Sequence, residues 1–255
     1  MQTRRSFLTN SAALGAITVL PFSVNAAGHQ ENTFKTDNGA VTITPVSHAS
    51  FVMETPAGVI YVDPVGDSAS YDGLPAPHMI LITHQHGDHY NADTLNAVTS
   101  DTTTLIANPA VYEMLPADMM ARATQIANGE NTAAMDVTIE AVPAYNTTEE
   151  RLNFHPKGRD NGYVVTVDGM RIYISGDTEG HDEMRALKDI DLAFVCMNLP
   201  FTMDAEAAAD AVSAFAPTYV YPYHYRGRDN GTQDPQEFAD MVSDAINVKF
   251  GGWYG

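Results

Sequence analysis

Four potential metal ligands lie within six consecutive residues of this chain. His84, His86, Asp88 and His89 follow directly on an apolar run over residues 79–83. Imidazole is the commonest metal-ligating side chain, and a carboxylate suits divalent zinc, manganese or iron. Burying three histidines and an aspartate without partners is costly, so this spacing favours a metal site. The alternative is a solvated loop that is rich in histidine by chance.

The apolar run predicts a buried strand that presents the four side chains at its carboxyl end. The strands predicted along the chain are residues 40–44, 50–54, 58–63, 79–83, 104–107, 137–142, 163–167, 170–175, 192–197, 219–222 and 248–251. The predicted helices are residues 94–98, 109–115, 181–188, 204–215 and 235–246. Early strands form hairpins and later strands alternate with helices, which predicts an α+β fold of two packed mixed sheets with helices outside. Residues 143–162 read as a long polar loop, and such loops are usually functional.

Length and composition narrow the class of protein. A chain of 255 residues with 44% hydrophobic content can build one sizeable domain. Its single cysteine, Cys196, excludes an intrachain disulfide framework and is expected to be a buried hydrophobe, with a reactive thiol as the alternative. The formal charge of −19 disfavours nucleic acid or an anionic membrane as the main partner. A small-molecule substrate is expected, and a homo-oligomer is left open.

The first 26 residues have the character of an export signal. Arg4 and Arg5 precede a modest apolar stretch, and a small-residue site at Val24-Asn25-Ala26 predicts cleavage before Ala27. The apolar part is too short for a membrane span. We therefore predict a twin-arginine signal over 1–26, a hydrolase domain over 27–255, and a bacterial periplasmic or secreted location. The alternative is a cytoplasmic protein with a chance arginine pair.

The motifs together resemble those of the metallo-β-lactamase superfamily. The residues that carry the resemblance are His84, His86, Asp88 and His89, then Gly176-Asp177-Thr178, then Pro222-Tyr223-His224. It extends over nearly the whole chain after the leader, from His48 onward. Within the superfamily, the 174–179 and 198–203 segments are most similar to the branch of the ascorbate-6-phosphate lactonase and related metal-dependent hydrolases.

The resemblance implies a four-layer αββα sandwich with two divalent metal ions at one edge, zinc being favoured over manganese or iron. It implies that His84 and His86 hold the first ion. It implies that Asp88, His89 and His224 hold the second and that Asp177 bridges the two. A metal ion lowers the pKa of bound water to about 7, which supplies a hydroxide nucleophile without a serine or cysteine.

The chain departs from the family pattern at one ligand. The superfamily usually supplies a third histidine to the first ion after a strand like 137–142, but Asn146 stands at that place. An amide oxygen is a weaker ligand, so Asn146 is a candidate and so is His155, nine residues further on. His155 is also predicted to be catalytic, with Asp88 and Asp177; contact with substrate or a structural role are its alternatives.

Two further residues are expected close to the site. Asp63, at the end of a predicted strand, is expected to orient a ligand imidazole, with a simple turn-forming role as the alternative. The resemblance implies that His48 lies beside the metal ligands, and a histidine of the core or of a loop is the equal alternative. His181 is expected to be exposed, with metal ligation as the alternative.

The leading functional hypothesis is hydrolysis of a small ester, lactone, amide or phosphoester, with a lactone favoured. A β-lactamase, a phosphodiesterase or nuclease, and a non-catalytic metal-binding protein are the alternatives. The strong negative charge argues against polynucleotide substrates.

Overall fold

The computed structural model describes residues 32–227 and 232–254, which belong to one compact unit. Its first sheet contains seven strands in chain order. They are β1 (Thr33–Lys35), β2 (Ala40–Ser47), β3 (Ser50–Thr55), β4 (Gly58–Val62), β5 (Met79–Ile82), β6 (Thr104–Ala107) and β7 (Ala123–Gln125). Strands β1 to β4 pair antiparallel, and β4 to β7 pair parallel.

The second sheet also contains seven strands, which again follow chain order from one edge to the other. They are β8 (Asn131–Ala134), β9 (Val137–Ala144), β10 (Asp160–Val167), β11 (Met170–Ile174), β12 (Leu192–Cys196), β13 (Tyr219–Tyr223) and β14 (Asn247–Val248). Strands β8 to β11 pair antiparallel and β11 to β14 pair parallel, so both sheets begin with hairpins and end with crossovers.

The helices lie in the crossovers, since a parallel pair cannot be joined by a tight turn. They are α1 (Ala92–Val98), α2 (Pro109–Tyr112), α3 (Ala117–Met120), α4 (Asp182–Arg185), α5 (Ala205–Phe215) and α6 (Pro235–Met241). Short 3-10 turns lie at Ser68–Tyr71 and Glu149–Arg151. Among the described residues, no helix has the length and apolar character needed to cross a bilayer.

Strand β5 shows how the layers are held together. Its four residues are fully buried and alternate between two apolar clusters. Met79 and Leu81 join the cluster that fills the space between the sheets. Ile80 and Ile82 join the cluster beneath α1, α2 and α3. Because both faces of the strand are covered, neither carries polar residues. The predicted α+β four-layer αββα sandwich is confirmed.

Several predicted boundaries are wrong. The long loop covers only residues 145–159, because β9 continues to Ala144 and β10 begins at Asp160. The last helix ends at Met241 instead of residue 246, since Val242 already has an extended backbone. The final strand is Asn247–Val248 instead of 248–251, and β1, β7, β8 and α3 were not predicted. The predicted leader, residues 1–26, and its cleavage site lie outside the described residues.

Candidate metal centre

The predicted ligands come together because parallel strands of each sheet end at a common edge. In the first sheet, Asp63 follows β4 and His84 follows β5. In the second, Asp177, Asn198 and His224 follow β11, β12 and β13. Binding sites in sheets of this kind form outside the carboxyl ends of the strands. Residues that are far apart in sequence therefore face one another across the two sheets.

Asp177 lies at the centre of the cluster. Its Oδ1 is 3.3 Å from Nε2 of His89 and 3.2 Å from Nε2 of His224. Its Oδ2 is 3.5 Å from Nε2 of His155. One buried carboxylate therefore faces three imidazoles that come from the β5 motif, the 145–159 loop and the end of β13.

A glycine allows Asp177 to reach this position. Gly176 has φ +60°, which is the left-handed region that only glycine enters without strain. A Cβ at Gly176 would lie 2.9 Å from the carbonyl oxygen of Asn161 and 3.1 Å from Cβ of Thr83. The chain can thus turn from β11 into the Asp177 loop while it touches β10 and the residue before His84.

Among the residues that the structure describes, three groups of side chains have the spacing of a metal site. The groups are His84, His86 and His155; His84, His89 and Asp177; and His48, Asp88 and His224. All six residues that the resemblance implied as ligands are in these groups, together with His155 and His48. His84 belongs to two of the groups, and His224 of the third lies 3.2 Å from Asp177, so the three groups are contiguous.

The donor atoms fit divalent cations. Nε2 of His84, Nε2 of His89 and Oδ1 of Asp177 are buried and have no hydrogen-bond partner. Leaving such groups unpaired costs about 1–3 kcal/mol each, a penalty that ligation removes. Imidazole nitrogens with a few carboxylate oxygens are the donor set of zinc, manganese and non-haem iron sites.

The pKa shifts of these side chains also favour a bound divalent cation. Burial lowers the pKa of His84 well below its ordinary value, so this imidazole is neutral and has a lone pair to donate. Burial raises the pKa of Asp177, but His224 and His89 outweigh that effect and hold it well below the ordinary value. Burial also opposes a charge on His89, yet Asp177 and Asp63 raise its pKa well above normal. Positive charge is therefore stabilised between these two carboxylates.

Two of the imidazoles are oriented by a second carboxylate. Nδ1 of His89 is 2.8 Å from Oδ2 of Asp63, as predicted for Asp63, and the same carboxylate accepts from the backbone N–H of Thr83 at 2.7 Å. Nδ1 of His155 is 3.0 Å from Oδ2 of Asp160. A carboxylate behind a ligating imidazole is a common arrangement at metal sites, because it fixes the ring and raises its basicity.

The structure separates the two candidates for the missing third imidazole. His155 is 1% exposed and lies in a group with His84 and His86. Asn146 donates its side-chain amide to the carbonyl oxygens of Arg151, at 3.0 Å, and Phe201, at 2.7 Å. The backbone N–H of Asn146 donates to the carbonyl oxygen of His155 at 2.8 Å. Asn146 therefore braces the loop that carries His155, while its own Oδ1 is unpaired.

Three residues around the centre carried no clear signal in the sequence. Nδ2 of Asn198 lies 2.9 Å from Nε2 of His224 and donates to Oδ2 of Asp177 at 3.3 Å. Glu179 accepts from the backbone N–H groups of residues 147 and 148, both at 2.7 Å, and so fastens the loop to the Asp177 segment. Asp160 orients His155. Asn198 and Glu179 act on partners distant in sequence, whereas Asp160 acts on an imidazole five residues away. The nearest signals were the 174–179 and 198–203 segments that supported the family branch.

His181 differs from its prediction. It is 3% exposed, not exposed, because its ring stacks on Tyr145 at 4.1 Å between centroids. Its Nδ1 accepts from the backbone N–H of Met184 and so caps α4. The hydroxyl of Tyr145 in turn donates to Glu183 at 2.7 Å.

Comparison with known proteins agrees with this geometry. The family profile of the β-lactamase superfamily domain matches residues 42–224. A metal-dependent hydrolase of Pyrococcus furiosus is 28% identical over 82% of this chain and 95% of its own length. One of Pelotomaculum thermopropionicum is 31% identical over 81% of this chain and 94% of its own. A solved structure from Parabacteroides distasonis, provisionally named a metal-dependent hydrolase, is 40% identical with a TM-score of 0.77, covering 88% of this chain and 98% of that one.

The chain belongs to the β-lactamase superfamily and has the metallo-β-lactamase fold. Within that class, it is a metal-dependent hydrolase whose candidate metal-binding groups are the His and Asp clusters described above.

Proposed function

We propose that this protein hydrolyses a small ester or lactone with two divalent ions, zinc being favoured over manganese or iron. The observation that carries the proposal is the position of Asp177, whose two oxygens face imidazoles on both sides. A carboxylate in that position can bridge two ions. Lactones are favoured over amides and phosphoesters because of the family branch that the 174–179 and 198–203 segments resemble.

The first ion is assigned to His84, His86 and His155, and the second to Asp88, His89 and His224. Asp177 lies between them. His155 takes the place that the family usually gives to a histidine after β9, and Asn146 is assigned the role of fixing the loop behind it. When bound, the ions supply a Lewis acid for the carbonyl oxygen and a water whose pKa is lowered to about 7.

The protein side chains have separate tasks in this scheme. Asp88 has 45% of its side chain exposed, so it is the carboxylate at the mouth of the centre. Burial raises its pKa, but His48, His89 and His224 outweigh this and keep it below the ordinary value. Asp88 is therefore ionised at neutral pH, so one of its oxygens could bind the second ion while the other could accept a proton from water. The side chains of Asp177 and His155 are buried, so they are held in fixed positions as metal ligands.

The charge of the chain bears on the substrate, and its first 26 residues bear on the location. The formal charge of −19 supports a small molecule over a polyanion. The arginine pair and small-residue site within residues 1–26 support twin-arginine export to the periplasm or beyond the cell.

The test is metal analysis and hydrolysis with one purified sample. Protein purified without added metal is analysed for bound ions, then assayed on p-nitrophenyl acetate, an acyl-homoserine lactone and nitrocefin. We expect two ions per chain and lactone or ester hydrolysis that is lost with a chelator and in Asp177→Asn. Asp118→Asn, an exposed aspartate in α3, is the matched control and should behave as wild type.

The proposal fails if the wild-type chain takes up no divalent ion, or if hydrolysis persists in Asp177→Asn. Cleavage of nitrocefin without hydrolysis of the lactone or the ester would instead identify β-lactams as the substrate class.

A further inference from the structure

His48 faces the second metal position although it lies outside the β5 motif. It occupies the turn between β2 and β3, and its Nε2 is 3.4 Å from Oδ2 of Asp88. Nε2 of His224 is 3.5 Å from the same oxygen. The rings of His48 and His224 are 4.0 Å apart between centroids. Asp88 is thus flanked by two imidazoles from opposite sheets.

These distances match those between neighbouring ligands of one metal ion. Ligand atoms at 2.0–2.2 Å from an ion with four or five ligands are separated from their neighbours by about 3.0–3.6 Å. The two contacts of Asp88 have this length, and so do those of Asp177 with His89 and His224, at 3.3 and 3.2 Å. By this distance criterion, His48 is as well placed to bind the ion as the residues of the motif.

The opposite nitrogen of His48 is held by Tyr254. Oη of Tyr254 lies 2.9 Å from Nδ1 of His48 and also accepts from the backbone N–H of Arg226 at 3.3 Å. If the phenol oxygen accepts the Nδ1 proton of His48, Nε2 is left with a lone pair that faces Asp88. A hydrogen bond from the far nitrogen is the usual companion of a ligating imidazole.

The surrounding structure fixes this pair firmly. Trp253 is 3% exposed and packs edge-on against the rings of Phe51 and Phe194. This packing fixes the position of the following residue, Tyr254, beside His48. The guanidinium of Arg226 lies 4.2 Å above the ring of Tyr254. His48 itself has φ +54°, a left-handed conformation that is strained for a residue with a Cβ and is found preferentially at functional sites.

We propose that His48 is an additional protein ligand of the second metal ion, beside Asp88, His89 and His224, and that Tyr254 positions it. The inference rests on the proposed function, since it needs the second ion to be present. It adds the β2–β3 turn and the 253–254 segment to the metal centre.

A competing explanation is that His48 only donates a hydrogen bond to Asp88. His48→Gln separates the two, because the glutamine amide can donate to Asp88 but is a poor ligand for zinc. His48→Ala removes both interactions. Tyr254→Phe removes only the hydroxyl, and His78→Ala, which alters an exposed histidine of the first sheet, is the matched control.

The experiment is a zinc titration of each full-length variant against a competing chelator, with circular dichroism to verify folding. We expect His48→Ala and His48→Gln to weaken the second zinc by at least 10-fold and to leave the first unchanged, so that the first ion reports an intact fold. Tyr254→Phe should weaken the second zinc by about 10–100-fold, as loss of such partners does elsewhere.

Wild-type affinity for both ions in His48→Gln overturns this inference and leaves the proposed function standing. Failure of the wild-type chain to bind a second ion overturns both. Cobalt substitution gives an independent measurement, because loss of an imidazole ligand changes the visible absorption of the second site, whereas loss of a hydrogen bond to Asp88 leaves the ligand number unchanged.

Discussion

Nε2 of His155 lies 3.5 Å from Oδ2 of Asp177, which brings an imidazole from the 145–159 loop to the shared carboxylate. The usual family position, Asn146, has no imidazole to offer. In the proposed centre His155 takes that place, and the hydrogen bond from the backbone N–H of Asn146 to the carbonyl oxygen of His155 holds the two arms of the loop together.

Replacing His155 should therefore remove the first ion. His155→Ala is expected to lower the metal content from two ions per chain to one, because His84 and His86 alone make a weak site. Asp160→Asn keeps the imidazole but weakens its orientation, and a 10–100-fold loss of first-site affinity is expected. Elemental analysis and chelator competition measure both effects. Asp101→Asn, at an exposed turn, should retain both ions; unchanged metal content in His155→Ala would show that another group completes the site.

Asp63 is expected to matter for stability as well as for metal binding. Its buried carboxylate accepts from the backbone N–H and hydroxyl of Thr83, both at 2.7 Å, and pairs with His89. Asp63→Asn leaves at least one of these groups without its partner, a cost of about 1–3 kcal/mol in the free energy of unfolding. Urea denaturation with excess chelator isolates that cost from the metal contribution. Asp72→Asn, at an exposed position, should show a change near zero, and an equally small change in Asp63→Asn would contradict the prediction.

The contribution of Glu183 to the stability of the folded protein should depend on pH. Hydrogen bonds from Tyr145 and then Lys157 lower the pKa of Glu183 from 4.5 to about 2 in the folded protein. A carboxyl group whose pKa falls on folding contributes stability above its unfolded pKa and loses it as the pH drops through the folded pKa. Glu183→Gln should therefore lower the urea midpoint slightly at pH 7, and its difference from wild type should shrink between pH 4.5 and pH 2. Because this site is partly exposed, the effect is expected to be small and reduced by salt.

The control for this pH series is Glu113→Gln, at an exposed position. Its difference from wild type should not change over the same interval. A Glu183→Gln difference that is constant with pH would show that the carboxylate network does not contribute to folding.

The packing between the sheets predicts a large effect at Phe194. Its ring stacks on Phe51 at 4.1 Å and on Tyr221 at 5.3 Å between centroids, and it is fully buried. Phe194→Ala should lower the free energy of unfolding by about 3–5 kcal/mol, because it leaves a cavity between two rings. Phe194→Leu fills most of that volume and should cost clearly less. Equal losses in the two variants, measured by urea denaturation, would argue against cavity formation as the cause.

Local signals explain which elements could be predicted. The helix that starts at Asp204 was predicted to within one residue, because the Asp204 side chain accepts from the backbone N–H of Ala207 and alanines fill the first turns. Strand β5 was predicted because four consecutive apolar residues bury both of its faces. By contrast, β7 and β8 are short, partly exposed strands at the edges of their sheets, so no buried apolar pattern marks them.

The sequence by itself determined the four-residue motif, the strand that carries it and the fold class, because each depends on side chains that are neighbours along the chain. Only the tertiary structure decided that His155 joins His84 and His86, that Asp160 and Asn198 orient the ligands, and that Tyr254 reaches His48. These contacts arise where the carboxyl ends of strands in two sheets meet. Which side chains share that space depends on how the two sheets pack, and no spacing within a single segment of the chain encodes it.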